Sequence, residues 1–348
     1  MNYFVSPRPG DSGALSSRQS AGRVEFIDLD PAIEGLREAA LTGLARPHKA
    51  IPPKFLYDAR GAALFERICT LPEYYPTRSE IEILRRHGRD MADRMGSRAQ
   101  LVEYGAGAAE KVRALLSAMD RPDRYVAIDV ARDQLRAATA RLADDYPELE
   151  VTAICADYTR AVPLPPAPDG VRVGFFPGGT IGNFTRDEAV EFLRSAARTL
   201  AGGALLIGVD LKKDKAVLDA AYNDSAGVTE AFIRNMLVRL NRELAADFQL
   251  DRFAYVGEYN PAEGRVEMFL ESRQPQQVTV AGRRFAFGRG EKLHIEYSCK
   301  YDAAEFQELA RRAGFAPAGL WTDRAGRFSV HYLLAPAADE AGTAPIAK

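Results

Sequence analysis

From Gln100 to Asp210 the chain alternates short, continuously apolar runs with segments whose apolar positions recur at helical spacing. QLVEYGAG is a strand that runs into glycines, and EKVRALLSAM follows it with a helical period. RYVAIDV, VTAICADYT, VRVGFFPGGTIGNF and ALLIGVDL are four more strands, with ARDQLRAATARLADDY and RDEAVEFLRSAARTLA as amphipathic helices among them. Apolar strands separated by helices of about 10–16 residues predict βαβ units, and hence a parallel sheet covered on both faces. The fold class is therefore α/β. After Asp210 the rhythm changes. KAVLDAAYNDSAGVTEAFIRNMLVRLNREL is mostly helical and leads into four strand-like runs, FAYVGEYN, RVEMFLESR, QQVTVAGRRFAF and KLHIEYSCKY. Antiparallel β with helices at this point predicts a second, α+β lobe. Beyond it AAEFQELARRAGF is a helix closed by Gly314, and AGLWTD and FSVHYLLA are strands around Arg324-Ala325-Gly326.

The ends of the chain lack such periodicity. Residues 1–22 are Ser/Gly/Pro-rich and read as a disordered leader, and the stretch from 337 to 348 as a flexible tail. The expected division is 23–78 plus 213–300 for the second lobe and 79–212 plus 301–336 for the α/β domain. Composition narrows the partners. Of 348 residues, 46 are Lys or Arg and 48 Asp or Glu, a net charge of −2 that offers no basic face for nucleic acid. No apolar run approaches the ~18–20 residues that cross a bilayer, and the N-terminus lacks signal-peptide architecture. Three scattered cysteines and four histidines leave little for a metal site. The expectation is a cytoplasmic, monomeric enzyme acting on a small molecule, with no metal, nucleic-acid or membrane partner.

The candidate chemistry sits at strand ends. Gly105 and Gly107 in EYGAGAAEK allow a tight strand-to-helix turn and close backbone approach to a ligand. A pyrophosphate fingerprint would place a third glycine where Glu110 stands, and a carboxylate there opposes a phosphate. A cationic sulfonium has no such conflict, so S-adenosylmethionine fits better than a dinucleotide, with Glu110 against the cation. The terminal hairpin after a parallel sheet points the same way. Asp129, ending the second strand, can accept from ribose hydroxyls, although it can equally cap the next helix. Asp157 and Tyr158, ending the third, can read an adenine amino group and stack on the ring, although a lone Asp there can also be a turn residue. The run Lys212-Lys213-Asp214-Lys215 reads as a solvated helix start, and Cys299 as a strand residue facing away from Ser298.

FLYDARGAALFERICTLPEYYPTRSEIEIL, GAGAAEK, FFPGGTIGNF, AAYNDSAGVT and IEYSCKY together resemble the histidine Nα-methyltransferase family of ergothioneine biosynthesis, whose fungal relatives methylate tryptophan derivatives. The resemblance spans about residues 50 to 335. It implies a Rossmann-like class I methyltransferase domain with an α+β substrate-binding domain, S-adenosylmethionine as cofactor and L-histidine as substrate. It places cofactor contacts on Gly105, Lys111, Asp129, Asp157 and Tyr158. It places the amino-acid site on Tyr74, Asn183, Tyr222, Glu296 and Ser298, with Met268 lining it and Tyr57 joining Asn183 at the reacting amine.

Those residue types suit the chemistry. Methyl transfer to an amine is an in-line displacement that depends on positioning and desolvation. A neutral amide such as Asn183 orients the amine without placing a charge against it. Tyr74 and Tyr222 can donate to a carboxylate. Glu296 and Ser298 alternate on a strand and so share a face. The carboxylate can accept from an imidazole N–H while the hydroxyl donates to, or accepts from, the other ring nitrogen. That pair favours histidine over tryptophan; another amino acid is the alternative substrate, and a non-catalytic cofactor-binding protein is a further one.

Overall fold

The computed structural model describes residues 18–21, 24–29, 35–96, 98–107, 109–120, 122–167 and 171–337. Seven strands precede the second lobe: β1 (Arg18–Ala21), β2 (Val24–Asp28), β3 (Gln100–Tyr104), β4 (Arg124–Asp129), β5 (Glu150–Cys155), β6 (Arg172–Phe176) and β7 (Ala204–Asp210). The lobe contributes β8 (Phe253–Asn260), β9 (Arg265–Ser272), β10 (Gln276–Val280), β11 (Arg283–Phe287) and β12 (Lys292–Cys299), and the chain closes with β13 (Ala316–Thr322) and β14 (Phe328–Leu334).

One nine-stranded sheet has the order β1-β2-β5-β4-β3-β6-β7-β14-β13. Its centre, from β2 to β7, is parallel; β14 joins β7 and β13 joins β14 antiparallel. The continuous apolar runs are explained by cover on both faces. Leu101 and Val102 of β3 enter separate cores, as do Phe175 and Phe176 of β6. Strand order reverses between β3 and β6, so the loops leaving those two strands flank the crevice where ligands bind in such sheets.

The helices are α1 (Leu36–Leu44), α2 (Ala59–Thr70), α3 (Tyr75–Met95), α4 (Ala109–Leu116), α5 (Arg132–Asp145), α6 (Arg186–Thr199), α7 (Lys215–Tyr222), α8 (Val228–Leu244) and α9 (Ala303–Arg312). Helix α6 starts at a capping box in which Thr185 and Glu188 satisfy each other's backbone N–H. In the second lobe, α2 packs on α8 and α7 on β8, over a sheet ordered β12-β9-β8 and a separate β10-β11 hairpin. Its core draws on 36–75 and 218–295.

Three expectations change. Positions 18–21, assigned to a leader, form β1, while 1–17 and 22–23 lie outside the described residues, as does all of the expected tail except Ala337. Strand β2, assigned to the second lobe, pairs in parallel with β5 at the edge of the large sheet. QQVTVAGRRFAF, one run in the sequence reading, is two strands, because Ala281 and Gly282 both adopt positive φ (48° and 82°) and reverse the chain.

Candidate active site

Gly105 leaves β3 with φ 78°, in the left-handed region where a side chain is strained, and a Cβ there would lie 3.7 Å from the Tyr158 ring. That ring meets Tyr104, Phe176 and Phe192 edge-on, with centroids 6.4, 5.8 and 6.1 Å away. At the end of β4, Asp129 Oδ1 accepts from Ala131 N at 2.8 Å, and burial raises the pKa of its carboxyl. Asp129 is not the cap of α5, which Ala131 occupies without a side-chain bond; its contact is a local turn ahead of the helix, and the carboxylate keeps acceptor capacity for sugar hydroxyls. Asp157 Oδ1 takes the backbone N and the hydroxyl of Thr159 at 3.0 and 2.6 Å. These side chains stand at the carboxyl ends of three adjacent parallel strands.

Lys111, in the first turn of α4, is buried and paired at 2.8 Å with Glu80 of α3, itself fully buried. Glu80 also accepts from Gly178 N at 2.8 and 3.1 Å, so the pair clamps the turn after β6. Glu110 does not lie in this interior. It is exposed, pairs with Arg85 at 3.1 Å, and lines a cleft of about 560 Å³ with Arg78, Arg85 and Arg324.

The clamped turn continues into a single 3₁₀ turn, Thr180–Asn183, seated against β12. A Cβ on Gly182 would fall 2.7 Å from the Cys299 carbonyl oxygen, and this close approach brings Asn183 to the strand. Asn183 Nδ2 donates to Glu296 Oε1 at 2.9 Å. Glu296 lies directly across from Met268 of β9, just past an irregularity in β12 register. Burial lifts the Glu296 carboxyl to about 8, against the pull of the Lys300 cation. Tyr222, at the end of α7, donates to Ser298 Oγ at 2.8 Å, and its ring meets that of Tyr74 edge-on at 6.3 Å. Arg78 holds the turn before α3 that carries Tyr74, donating to the carbonyls of Leu71, Pro72 and Tyr74 at 2.5, 2.6 and 3.2 Å. Tyr57 packs edge-on against Phe65 and Phe232 and keeps 36% of its surface exposed. Desolvation, then the nearby Glu296 and Tyr158, raise the pKa of its hydroxyl.

The structure therefore joins Asn183, Glu296 and Met268, and joins Ser298, Tyr222 and Tyr74, where the turn after β6 meets β12 of the second lobe. Two residues missed in the sequence complete it. Lys300 Nζ lies 2.7 Å from each of Tyr222 Oη, Ser298 Oγ and Asp210 Oδ2. The period-two alternation that linked Glu296 and Ser298 would have reached Lys300 in one more step. Burial opposes the Lys300 charge, but Asp210 outweighs it and the pKa rises. Burial likewise works against an ionised Asp210, whose pKa Lys300 and Lys213 nonetheless lower. Lys213 is not the solvated residue expected of its run. It is nearly buried, bonded to Asp210 at 2.6 Å and to Tyr75 Oη at 2.7 Å, and burial holds its ammonium down to about 8. Cys299 points away from this group, its thiol toward the Phe184 carbonyl at 3.3 Å.

With two acidic strand ends, a bare glycine edge and Lys111 already paired with Glu80, the described residues of the crevice offer no free cationic cradle for a pyrophosphate and suit a sulfonium nucleoside. Residues 36–335 match the family model described as histidine-specific, S-adenosylmethionine-dependent methyltransferase. The chain belongs to this family. Among histidine-specific methyltransferases and their relatives, it is 42% identical to the histidine N-alpha-methyltransferase of Mycolicibacterium smegmatis, over 88% of this chain and 96% of that protein. It is 41% identical to the histidine N-alpha-methyltransferase of Mycobacterium tuberculosis, over 85% and 93% respectively. Ergothioneine biosynthesis protein 1 of Neurospora crassa is 31% identical over 88% of this chain, which spans 36% of that longer protein. As a member of the family the chain is an S-adenosylmethionine-dependent methyltransferase. Among the described residues no cluster of metal-ligating side chains occurs, and no helix is long and apolar enough to cross a membrane.

Proposed function

We propose that this methyltransferase transfers methyl groups to the α-amino nitrogen of L-histidine, three times, to give the trimethyl betaine hercynine. One observation carries the substrate assignment: a buried carboxyl and a hydroxyl two residues apart on β12, Glu296 and Ser298, beside the amide of Asn183. They form an edge with two polar heads, suited to a planar ring with two nitrogens. The names of the mycobacterial relatives support the same substrate.

S-adenosylmethionine supplies, when bound, a methyl group made electrophilic by its sulfonium. Gly105, Asp129, Asp157 and Tyr158 are proposed to hold it at the strand ends, and Lys111, through its pair with Glu80, to shape the adjoining turn and meet the cofactor's carboxylate. Asn183 and Tyr57 orient the substrate amine at the boundary between the two sites. The amine must arrive without its extra proton, since its lone pair forms the new bond. Asn183 suits this task because an amide stays neutral while the nitrogen becomes permanently cationic. Tyr74 binds the carboxylate. Tyr222, whose hydroxyl proton goes to Ser298, supports the ring-reading edge beside it. Glu296 and Ser298 read the ring, and Met268 packs next to them. Asn183 and Glu296 satisfy each other in the structure, which keeps two buried polar groups paired until substrate replaces one partner. The proposal includes a second lobe that reads the amino acid, and a monomer working in the cytoplasm on free small molecules. The near-neutral charge supports the exclusion of nucleic acid.

The test is a panel of the free amino acids incubated with purified protein and cofactor carrying a deuterated methyl group, read by mass spectrometry. Labelled product from histidine alone is expected. Equal or greater labelling of tryptophan refutes the assignment.

A further inference from the structure

The hydroxyls of Tyr222 and Ser298 are tied to a third group that the proposed function leaves without a task. Lys300 is 1% exposed, and its three ammonium hydrogens meet three acceptors: Asp210 Oδ2, Tyr222 Oη and Ser298 Oγ, each at 2.7 Å. Asp210 is held in turn by Tyr75 Oη at 2.8 and 2.9 Å and by Lys213 at 2.6 Å, so the ammonium is fixed from behind. Tyr222 Oη donates to Ser298 Oγ at 2.8 Å. A phenol is the stronger acid of the two hydroxyls, and a cation on its oxygen sharpens that difference, so the proton runs from tyrosine to serine. Counting then decides the outcome. A hydroxyl has two lone pairs and one hydrogen. Ser298 spends one lone pair on Lys300 and the other on Tyr222. Only its own hydrogen is left to offer.

We propose that Lys300 is a positioning residue that sets the hydrogen-bond polarity of the ring-reading edge, making Ser298 a donor toward the substrate and never an acceptor. The inference rests on the histidine reading above and deepens it. Ser298 then requires a ring nitrogen with a bare lone pair, and Glu296 takes the N–H of the other nitrogen. A neutral imidazole in one tautomer meets both demands. An imidazolium brings a second N–H against a donor, and an indole brings an N–H with no bare nitrogen at all. Discrimination against tryptophan thus arises from the sign of a hydrogen bond as well as from size.

The test uses four ring analogues of histidine, with affinities measured by calorimetry in the presence of S-adenosylhomocysteine. Two thiazolylalanines each carry one bare nitrogen and no N–H; two pyrrolylalanines each carry one N–H and no bare nitrogen. Within each pair, one isomer has its nitrogen next to the ring attachment and the other has it one atom further. In the wild-type protein one isomer of each pair should bind about tenfold more tightly than the other. The tight thiazole and the tight pyrrole should carry their nitrogens at opposite positions. Lys300→Met reopens a lone pair on Ser298, so the weak pyrrole should gain affinity, a gain that general damage does not produce. Ser298→Ala should bring the tight thiazole down to its weak isomer. Should Lys300→Met not fold because Asp210 is left without its cation, the double variant Lys300→Met/Asp210→Asn carries the same expectation. A common loss for all four analogues in Lys300→Met, or tight isomers with nitrogens at the same position in the wild type, overturns the proposal. Loss of histidine binding itself in the wild type instead strikes the substrate reading and takes this inference with it.

Discussion

Glu296 accepts most strongly from a substrate N–H as a carboxylate, which has no proton of its own to turn against that hydrogen. Its carboxyl is 6% exposed and burial lifts its pKa to about 8, so at pH 7 only about a tenth is ionised, a cost of ~1.4 kcal/mol. Binding a neutral imidazole therefore releases the Glu296 proton, and affinity must rise with pH. Below pH ~6.5 the free imidazole also protonates and steepens the fall. Between about 6.5 and 8 the Glu296 contribution should approach tenfold per pH unit and then level off. Glu296→Gln is nearly isosteric and can still accept from Asn183 through its amide oxygen, but it does not titrate. In that variant this contribution should vanish, and affinity at pH 8 should fall by about 1–3 kcal/mol because an N–H now lacks its anionic acceptor. Calorimetry of L-histidine binding in the presence of S-adenosylhomocysteine, from pH ~6.5 to ~9, measures both effects. The substrate ammonium contributes equally to both proteins, so the difference in slope isolates Glu296. Equal slopes would refute the assigned role.

Burial also raises Glu103 to about 8, and with Glu296 this links stability to pH. A carboxyl whose folded pKa is raised stabilises the protein below its unfolded value of 4.5 and loses that contribution as pH rises through about 8. His294 and His331, held down to about 4 by burial, are neutral in both states above pH ~6.5, so the melting temperature should fall from there to pH 8. Scanning calorimetry should show a shallower fall for Glu103→Gln; identical profiles contradict this. Glu80→Gln leaves Lys111 buried at 7% side-chain exposure without a counter-charge, and denaturant unfolding should report a loss of about 3–5 kcal/mol. A loss below ~1 kcal/mol would mean the pair does not hold that turn. Gly182→Ala forces a Cβ to within 2.7 Å of the Cys299 carbonyl, which should cost ~1–3 kcal/mol of stability and displace Asn183. Its kcat should drop while cofactor affinity holds, and unchanged kcat would separate the turn from catalysis.

Much of the large sheet was legible because β3 and β7 are apolar along their whole length, a pattern that parallel strands covered on both faces require. Strand β2 was not, because a five-residue segment flanked by polar and glycine-rich chain gains its place only by pairing with β5, far away in sequence. The β10–β11 reversal was hidden because Ala281-Gly282 lacks the Asn-Gly or Asp-Gly pair that usually marks such a turn. At the site, motif resemblance named Asn183, Glu296, Tyr222 and Ser298, but not the bonds that join them in pairs. Those bonds link the turn after β6 to β12, and α7 to β12, across separations that periodicity does not reach. Lys300 and Lys213 escaped notice because a lysine in isolation reads as solvated. Their burial depends on Asp210, and no local pattern announces that an acid at the end of β7 will stand beside them.

In the proposed arrangement the ring meets Glu296 and Ser298 and the amine faces Asn183, so the methyl groups go to the α-nitrogen of histidine rather than to its ring. Tandem mass spectrometry and proton NMR of the product formed from L-histidine with a methyl-labelled cofactor locate each transferred group. One, two and then three labelled methyls are expected on the α-nitrogen, with both ring nitrogens unmodified. A label on either ring nitrogen would reverse the orientation assigned to the substrate and contradict it.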